Sequence, residues 1–135
     1  MGSVASHIPS MQEFSLAVVG LDFPNRDKSN RRFEVALCRP GDPVELRPEP
    51  RNPADPRAVA VFSERGVQIG YLTAERCGLI GKRLNAGEAC EAVFQEDHRH
   101  NAVIRIRFGG GSPTLPNGVR GAAEPDEYAQ AGWDE

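Results

Sequence analysis

Residues 47–62 read RPEPRNPADPRAVAVF, so the chain passes directly from a proline-rich loop into an alternating apolar run. Four prolines fall within nine positions of this stretch, at 48, 50, 53 and 56. Proline fixes φ and removes a backbone donor, so this loop is neither a helix nor a central strand. A loop fixed so firmly beside a strand is expected to hold the side chains between its prolines in one arrangement, and these are Arg51, Asn52, Ala54 and Asp55.

Alternating apolar segments continue on both sides of the loop. They predict strands at 13–21, 43–47, 57–63, 67–72, 88–96 and 102–108, and helical patterns predict short helices at 31–38 and 74–87. The polar turns at 64–66 and 97–101 are short enough to join the neighbouring strands as hairpins. About six short strands and two short helices predict a mainly-β fold, a small OB-like or SH3-like β-barrel, because barrel closure removes exposed sheet edges.

The first predicted helix has a recognisable start and an apolar side. Ser29 or Asn30 precedes it and is suited to cap its N-terminus, because either side chain accepts hydrogen bonds from free backbone N–H groups. Phe33, Ala36 and Leu37 share one face at helical spacing, which predicts an amphipathic helix.

The 135 residues are enough for one domain with a single hydrophobic core. We expect a barrel domain over 13–108, between a disordered leader at 1–12 and a disordered, acidic, glycine- and proline-containing tail at 109–135. Residues 111–135 carry one basic and five acidic side chains, which leaves 15 basic and 14 acidic ones in the remaining 110 residues. The charge of the folded part therefore neither proves nor excludes a phosphate-binding face.

Cysteine usage and hydropathy indicate where the chain resides. Cys38, Cys77 and Cys90 are far apart and odd in number, which predicts free thiols in a reducing cytosol rather than disulfides. No apolar run approaches the roughly 18 residues needed to span a bilayer. The opening MGSVASHIPS lacks the basic and hydrophobic regions of a signal peptide, so a cytoplasmic location is expected, nucleoid-associated if the protein binds DNA.

Polar side chains around the proline loop allow two interpretations. Asn-Pro and Asp-Pro pairs are ordinary turn formers, because Asn and Asp side chains bond back to their own backbone. Arginines, rigid hydrogen-bonding groups and an aromatic ring are also the components of a pocket for a nucleic-acid end. The residues concerned are Arg47, Arg51, Asn52, Asp55, Arg57 and Tyr71.

The order VVGL at 18–21, the run at 47–61 and GVQIGYL at 66–72, followed by a helix, resembles the HIRAN domain. The resemblance covers roughly residues 13–108, and its most specific part is the R-x-x-P-x-N-P-x-D-x-x-A-[IV]-x-V pattern at 47–61. It implies an OB-like barrel that captures the 3′ end of single-stranded DNA in repair or replication-fork processing.

By position, the resemblance also implies roles for individual residues. Asn52 and Asp55 would contact the terminal 3′-hydroxyl and sugar, Phe23 would stack on a base, and Tyr71 would face a phosphate or ribose. The chain departs from the family's DNA-end binders in two places. Ala54 stands where they have an aromatic residue, and Asp22 stands where they have a basic one.

Other function classes have weaker signals in the sequence. The acidic tail contains Tyr128 and Trp133, and it is either a docking peptide for a DNA-processing protein or a solvated tail. A protein-interaction module is therefore the main alternative, and an accessory domain of a nucleic-acid hydrolase is a further one. The chain has no G-x-S-x-G, Walker or H-E-x-x-H motif, so we expect no enzyme activity and no cofactor. His98 and His100 lack a third ligand nearby, and a solvated turn explains them better than a metal site.

Overall fold

The computed structural model of the chain describes residues 12–116, which form a closed antiparallel barrel of six strands with two helices. The elements are β1 (Glu13–Val19), α1 (Arg31–Leu37), β2 (Pro43–Pro48), β3 (Val59–Phe62), β4 (Gln68–Leu72), α2 (Ala74–Asn85), β5 (Cys90–Asp97) and β6 (Ala102–Phe108). The strands follow the order β1-β4-β3-β2-β5-β6 around the barrel. The predicted mainly-β barrel is confirmed, and both predicted hairpins, β3–β4 and β5–β6, are present.

The barrel core follows from the period-two alternation of its strands. In β6 every second side chain is buried, namely Ala102, Ile104, Ile106 and Phe108, while the residues between them face outward. Strand β3 differs because Val59, Ala60 and Val61 are all fully buried. This strand follows the proline loop directly, so the loop is attached to the most completely buried segment of the sheet.

Gly70 sets how closely two strands approach each other beside the candidate site. A Cβ atom at this position would collide with the carbonyl oxygen of Val19 in β1. Only glycine therefore lets β4 pair with β1 in this register, in which Val19 lies opposite Tyr71. Gly70 thus admits the neighbouring strand directly beside Tyr71.

The N-cap of α1 is Asn30, one of the two residues predicted. Asn30 has extended backbone, and its side-chain Oδ1 accepts a hydrogen bond from the N–H of Phe33 at 2.8 Å. The face of α1 that packs on the barrel is instead formed by Arg31, Glu34 and Val35. The apolar face that we noted, with Phe33 and Leu37, is turned to solvent.

Polar partners explain why α1 buries charged residues. Glu34 is 5% exposed, accepts a hydrogen bond from the Ser63 hydroxyl at 2.6 Å and pairs with Arg65 at 2.8 Å. Those partners come from the β3–β4 hairpin, far away in sequence. Because a buried carboxylate is tolerated only with matched donors, these contacts allow Glu34 to share the buried face of the helix with Val35.

Residues 109–116 continue from β6 and contact the barrel. Thr114 donates to Glu13 from its backbone N–H and its hydroxyl, at 2.9 and 2.7 Å, and Ser112 donates to Glu91 at 2.9 Å. The first eight residues of the predicted tail thus make specific hydrogen bonds. The rest of that tail, with Tyr128 and Trp133, and residues 1–11 of the predicted leader lie outside the described residues.

Within residues 12–116 the three cysteines are free thiols, with Cys77 buried and Cys38 and Cys90 half-buried. Burial raises the pKa of the Cys38 thiol to about 11, which argues against a catalytic thiolate there. None of the helices in this part of the chain is long and apolar enough to cross a membrane.

Candidate functional site

The proline loop is held by side chains that bond to their own backbone. The Oδ1 atom of Asn52 accepts hydrogen bonds from the N–H groups of Ala54 and Asp55, at 2.8 and 3.1 Å. The Oδ1 atom of Asp55 accepts one from the N–H of Arg57 at 2.8 Å. Both residues therefore form Asx turns, as the turn-forming interpretation predicts. The loop is rigid for two reasons, its prolines and these two turns.

An open cleft of about 730 Å³ lies beside this loop. The loop forms one wall, the segment leading into α1 forms another, and the β3–β4 hairpin completes it. Its lining is a mixture of polar and apolar groups, carries charges of both signs and includes the aromatic rings of Phe62 and Tyr71. The main side chains are those of Asn25, Arg31, Glu49, Arg51, Asn52 and Tyr71.

Tyr71, Glu49 and Asn52 form a hydrogen-bonded group across the cleft. The Tyr71 hydroxyl donates to Glu49 Oε1 at 2.8 Å, and the Asn52 amide donates to the same oxygen at 2.9 Å. Tyr71 is thus half-buried, and its hydroxyl is bonded to the proline loop. This group fixes the loop wall of the cleft against the barrel.

Arg31 supplies the opposite wall. It is 7% exposed, its Nε donates to Asn25 Oδ1 at 2.7 Å and its Nη1 donates to the carbonyl of Gly20 at 2.8 Å. Its guanidinium carbon lies 5.5 Å from the centroid of the Tyr71 ring, within cation–π range. Burial lowers the pKa of this guanidinium from its ordinary value.

The structure brings three of the seven predicted site residues to the cleft, namely Arg51, Asn52 and Tyr71. Two more stand beside its lining. Phe23 is 67% exposed and precedes Pro24, which lines the cleft. Arg47 stacks on the lining residue Phe62 at 3.8 Å from the ring centroid, and it also pairs with Glu45 at 2.9 Å.

Asp55 and Arg57 are placed elsewhere. Their side chains pair with each other at 3.3 Å, and Arg57 lines a separate depression with Gly78 and Lys82 of α2. The backbone hydrogen bond from Arg57, together with its side-chain bond and charge, lowers the pKa of Asp55. Asp55 is therefore a stable carboxylate at neutral pH, next to the cleft wall formed by Asn52.

The two departures from the family pattern have different surroundings. Asp22 pairs with Arg32 at 2.5 Å, so its negative charge is compensated within the described residues. Ala54 is exposed and leaves open surface where an aromatic ring would stand. His98 pairs with Glu96 at 2.9 Å, and no group of three metal-binding side chains was found among residues 12–116.

Sequence reasoning did not select Arg31, Glu49 or Asn25 as site residues. In the sequence, Arg31 is typical of the first residue of a surface helix, and Asn25 is typical of a loop. Glu49 stands between two prolines of the quoted stretch, and this placement was a usable signal, since the same fixed backbone holds its carboxylate.

Comparison with known proteins gives the family. The HIRAN domain model matches residues 11–108. The chain belongs to the HIRAN domain family. The crystal structure of the HIRAN domain of human HLTF aligns with a TM-score of 0.59 at 21% identity, covering 72% of this chain and 74% of that chain.

A crystal structure of a protein from Lactobacillus plantarum aligns with this HIRAN domain at a TM-score of 0.57 and 18% identity, covering 73% of this chain and 99% of that chain. These low identities show a shared fold alone. A search of curated proteins found no match. HIRAN domains are nucleic-acid-binding modules and are not catalytic by themselves.

Proposed function

We propose that this HIRAN domain binds the 3′ end of single-stranded DNA in its cleft, in DNA repair or replication-fork processing. The cleft is the observation that supports this best, because an aromatic ring, amides and arginines surround an open space beside a rigid loop. Such groups suit the base faces, sugar hydroxyls and phosphates of a strand end. A cytoplasmic location, with nucleoid association when DNA is bound, is part of the proposal.

The seven predicted residues have separate roles in this proposal. Phe23 stacks on a base at the exposed edge, and the arginines meet phosphates. Tyr71 faces a phosphate or ribose, while Asn52 and Asp55 meet the terminal sugar and its 3′-hydroxyl. The arginines are Arg47 and Arg51 at the cleft, and Arg57 on the other side of the proline loop, where it contributes less.

A fluorescence-anisotropy titration with matched strands tests end recognition. A charge-assisted hydrogen bond from the 3′-hydroxyl to Asp55 is worth roughly 1.5–3 kcal/mol. A 3′-phosphate would instead place two negative groups together. We therefore expect strands with a 3′-phosphate to bind about tenfold or more weakly, and Asp55→Ala to bind 3′-hydroxyl strands with a similar loss.

Asp42→Ala is a matched control, because Asp42 also accepts a hydrogen bond from a loop backbone N–H, that of Arg39 at 2.9 Å, and lies outside the cleft lining. Removing this carboxylate should cause no loss of affinity. Equal binding of 3′-hydroxyl and 3′-phosphate strands by the wild-type protein would eliminate end capture as the function.

Protein docking is a second candidate function, favoured by the solvent-facing side of α1. Phe33 is 66% exposed and Leu37 is 47% exposed, one helical turn apart. A variant with Phe33→Ser and Leu37→Ser should keep its affinity for strands if DNA binding is the function. Docking would be favoured instead if the wild type bound no strand and if this variant no longer bound a purified protein partner that the wild type binds.

A further inference from the structure

Arg31 is a buried cation that its own surroundings leave without a paired carboxylate. It is 7% exposed, yet among residues 12–116 no Asp or Glu oxygen lies within 4.0 Å of its guanidinium nitrogens. Glu49 acts on it only at longer range. Buried charges in proteins are normally paired, so this arrangement needs a further partner.

The hydrogen bonds of Arg31 hold its position without cancelling its charge. Both acceptors, the amide oxygen of Asn25 and the carbonyl oxygen of Gly20, are neutral. The Nη2 atom has no hydrogen bond to the described residues. The guanidinium is therefore fixed in one orientation, lies beside the Tyr71 ring and keeps donors available at the cleft.

We propose that Arg31 binds a backbone phosphate of the strand in the cleft, through Nη2. This inference rests on the proposed function and names the group that holds the phosphate. A planar guanidinium matches the geometry of phosphate oxygens, and its fixed position reduces the ordering required on binding. Arg26 and Arg51 are exposed at the same cleft and add a less directional attraction.

Glu49 narrows the kind of phosphate that fits. Its carboxylate lines the same cleft and accepts hydrogen bonds from Tyr71 and Asn52, so a dianionic terminal phosphate meets more repulsion there than a monoanionic diester. The site is therefore expected to take an internal phosphodiester of a strand.

The test is a double-mutant cycle between the protein and single linkages of the strand. Strands are prepared with one neutral methylphosphonate linkage at each of the last few positions before the 3′ end. For the wild-type protein, neutralising the linkage that meets Arg31 should weaken binding about tenfold or more. For Arg31→Met the same linkage should have no further effect, because the phosphate has already lost its partner.

Arg26→Met is the matched control, because it removes the same charge from an exposed side chain at the same cleft. This variant should respond to the decisive linkage as the wild type does. If Arg31→Met responds to every linkage as strongly as the wild type, the inference is wrong, while end binding by the proposed function can still hold.

Because Arg31 also holds Gly20 and Asn25, its substitution can disturb the fold, so a second measurement uses the unaltered protein. Dimethyl phosphate, a monoanionic diester, is titrated while the Nε–H resonances of arginine are followed by NMR. The Arg31 resonance should shift saturably, and that of Arg26 should shift less. An unshifted Arg31 resonance would overturn the inference. A saturable shift in a protein that binds no strand would keep the phosphate site and reject the proposed function.

Discussion

Two of the arginine-containing polar groups on the barrel differ in how completely their charges are paired. The Glu13 cluster, formed by Glu13, Arg105, Arg107 and Thr114, joins β1 to β6 and to the segment that follows it. One carboxylate, 10% exposed, meets Arg105 at 3.2 Å and Arg107 at 3.0 Å, and it accepts two further hydrogen bonds from Thr114. Every charge in this cluster has an opposite partner.

The cleft has the same residue types in a less complete arrangement. Glu49 takes its hydrogen bonds from the neutral groups of Tyr71 and Asn52, and Arg31 gives its own to neutral oxygens. The two charges share the cleft without direct pairing. The contrast teaches that a saturated network stabilises the fold, while an unsaturated one leaves charge available for a ligand.

The largest expected effect is on stability, at the Glu13 cluster. Glu13→Gln leaves two partly buried arginines without their carboxylate, so the free energy of unfolding should fall by about 2–3 kcal/mol at pH 7. Urea denaturation measures this change. Glu45→Gln is the control, because its pair with Arg47 is exposed and should contribute less than about 1 kcal/mol. Equal stability of the two variants would contradict the contrast between the cluster and the surface.

The pH dependence of stability should identify the same carboxylate. Burial opposes ionisation of Glu13, but the hydrogen bonds from Thr114, Arg107 and Arg105 outweigh it and lower its pKa from 4.5 to about 2. A depressed pKa in the folded state contributes stability that is complete above the unfolded value and is lost as pH falls towards the folded one. The wild type should therefore lose about 1–2 kcal/mol more than Glu13→Gln between pH 6 and pH 3. Parallel losses in the two proteins would contradict this assignment.

A substitution beside the cleft should raise its affinity for single-stranded 3′ ends, whereas the Glu13 cluster has no comparable unused contact. Ala54 is exposed on a loop whose backbone is already fixed, so Ala54→Tyr needs little extra ordering. Base stacking contributes roughly 1–3 kcal/mol, so affinity for single-stranded 3′ ends should rise about fivefold to a hundredfold with little change in Tm. Ala36→Tyr places the same ring on exposed α1 and should leave strand affinity unchanged. A stable Ala54→Tyr protein with unchanged affinity would count against the cleft and favour protein docking.

The barrel could be predicted because its information is local. Alternation fixes the strands, and prolines and glycines fix the turns, so no predicted strand end differs from the observed one by more than two residues. The first strand was predicted to reach residue 21 but ends at Val19, because Gly20 adopts a positive φ of 81°.

The buried polar contacts could not be predicted because their partners are distant in sequence. Glu34 meets Ser63 across 29 residues, and Tyr71 meets Glu49 across 22. The periodicity of apolar residues does not indicate contacts between residues that are distant in sequence. The orientation of α1 and the positions of Arg31 and Glu49 in the cleft could therefore not be predicted. The proline loop was an exception, because its rigidity and its turn-forming side chains are local.

Salt dependence should give the smallest effect and separate the cleft from its surroundings. A pocket that holds two or three phosphates predicts a slope of log affinity against log salt of roughly −1.4 to −2, at about −0.7 per phosphate of a single strand. Arg51 lines the cleft, so Arg51→Ala should flatten the slope by about 0.7. Arg57 lies in the other depression and pairs with Asp55, so the structure predicts a smaller change for Arg57→Ala. Anisotropy titrations from 50 to 200 mM salt measure both slopes. If both variants flattened the slope equally, the phosphate contacts would continue across the proline loop to α2. A wild-type slope far steeper than −2 would indicate a long binding groove instead of an end pocket.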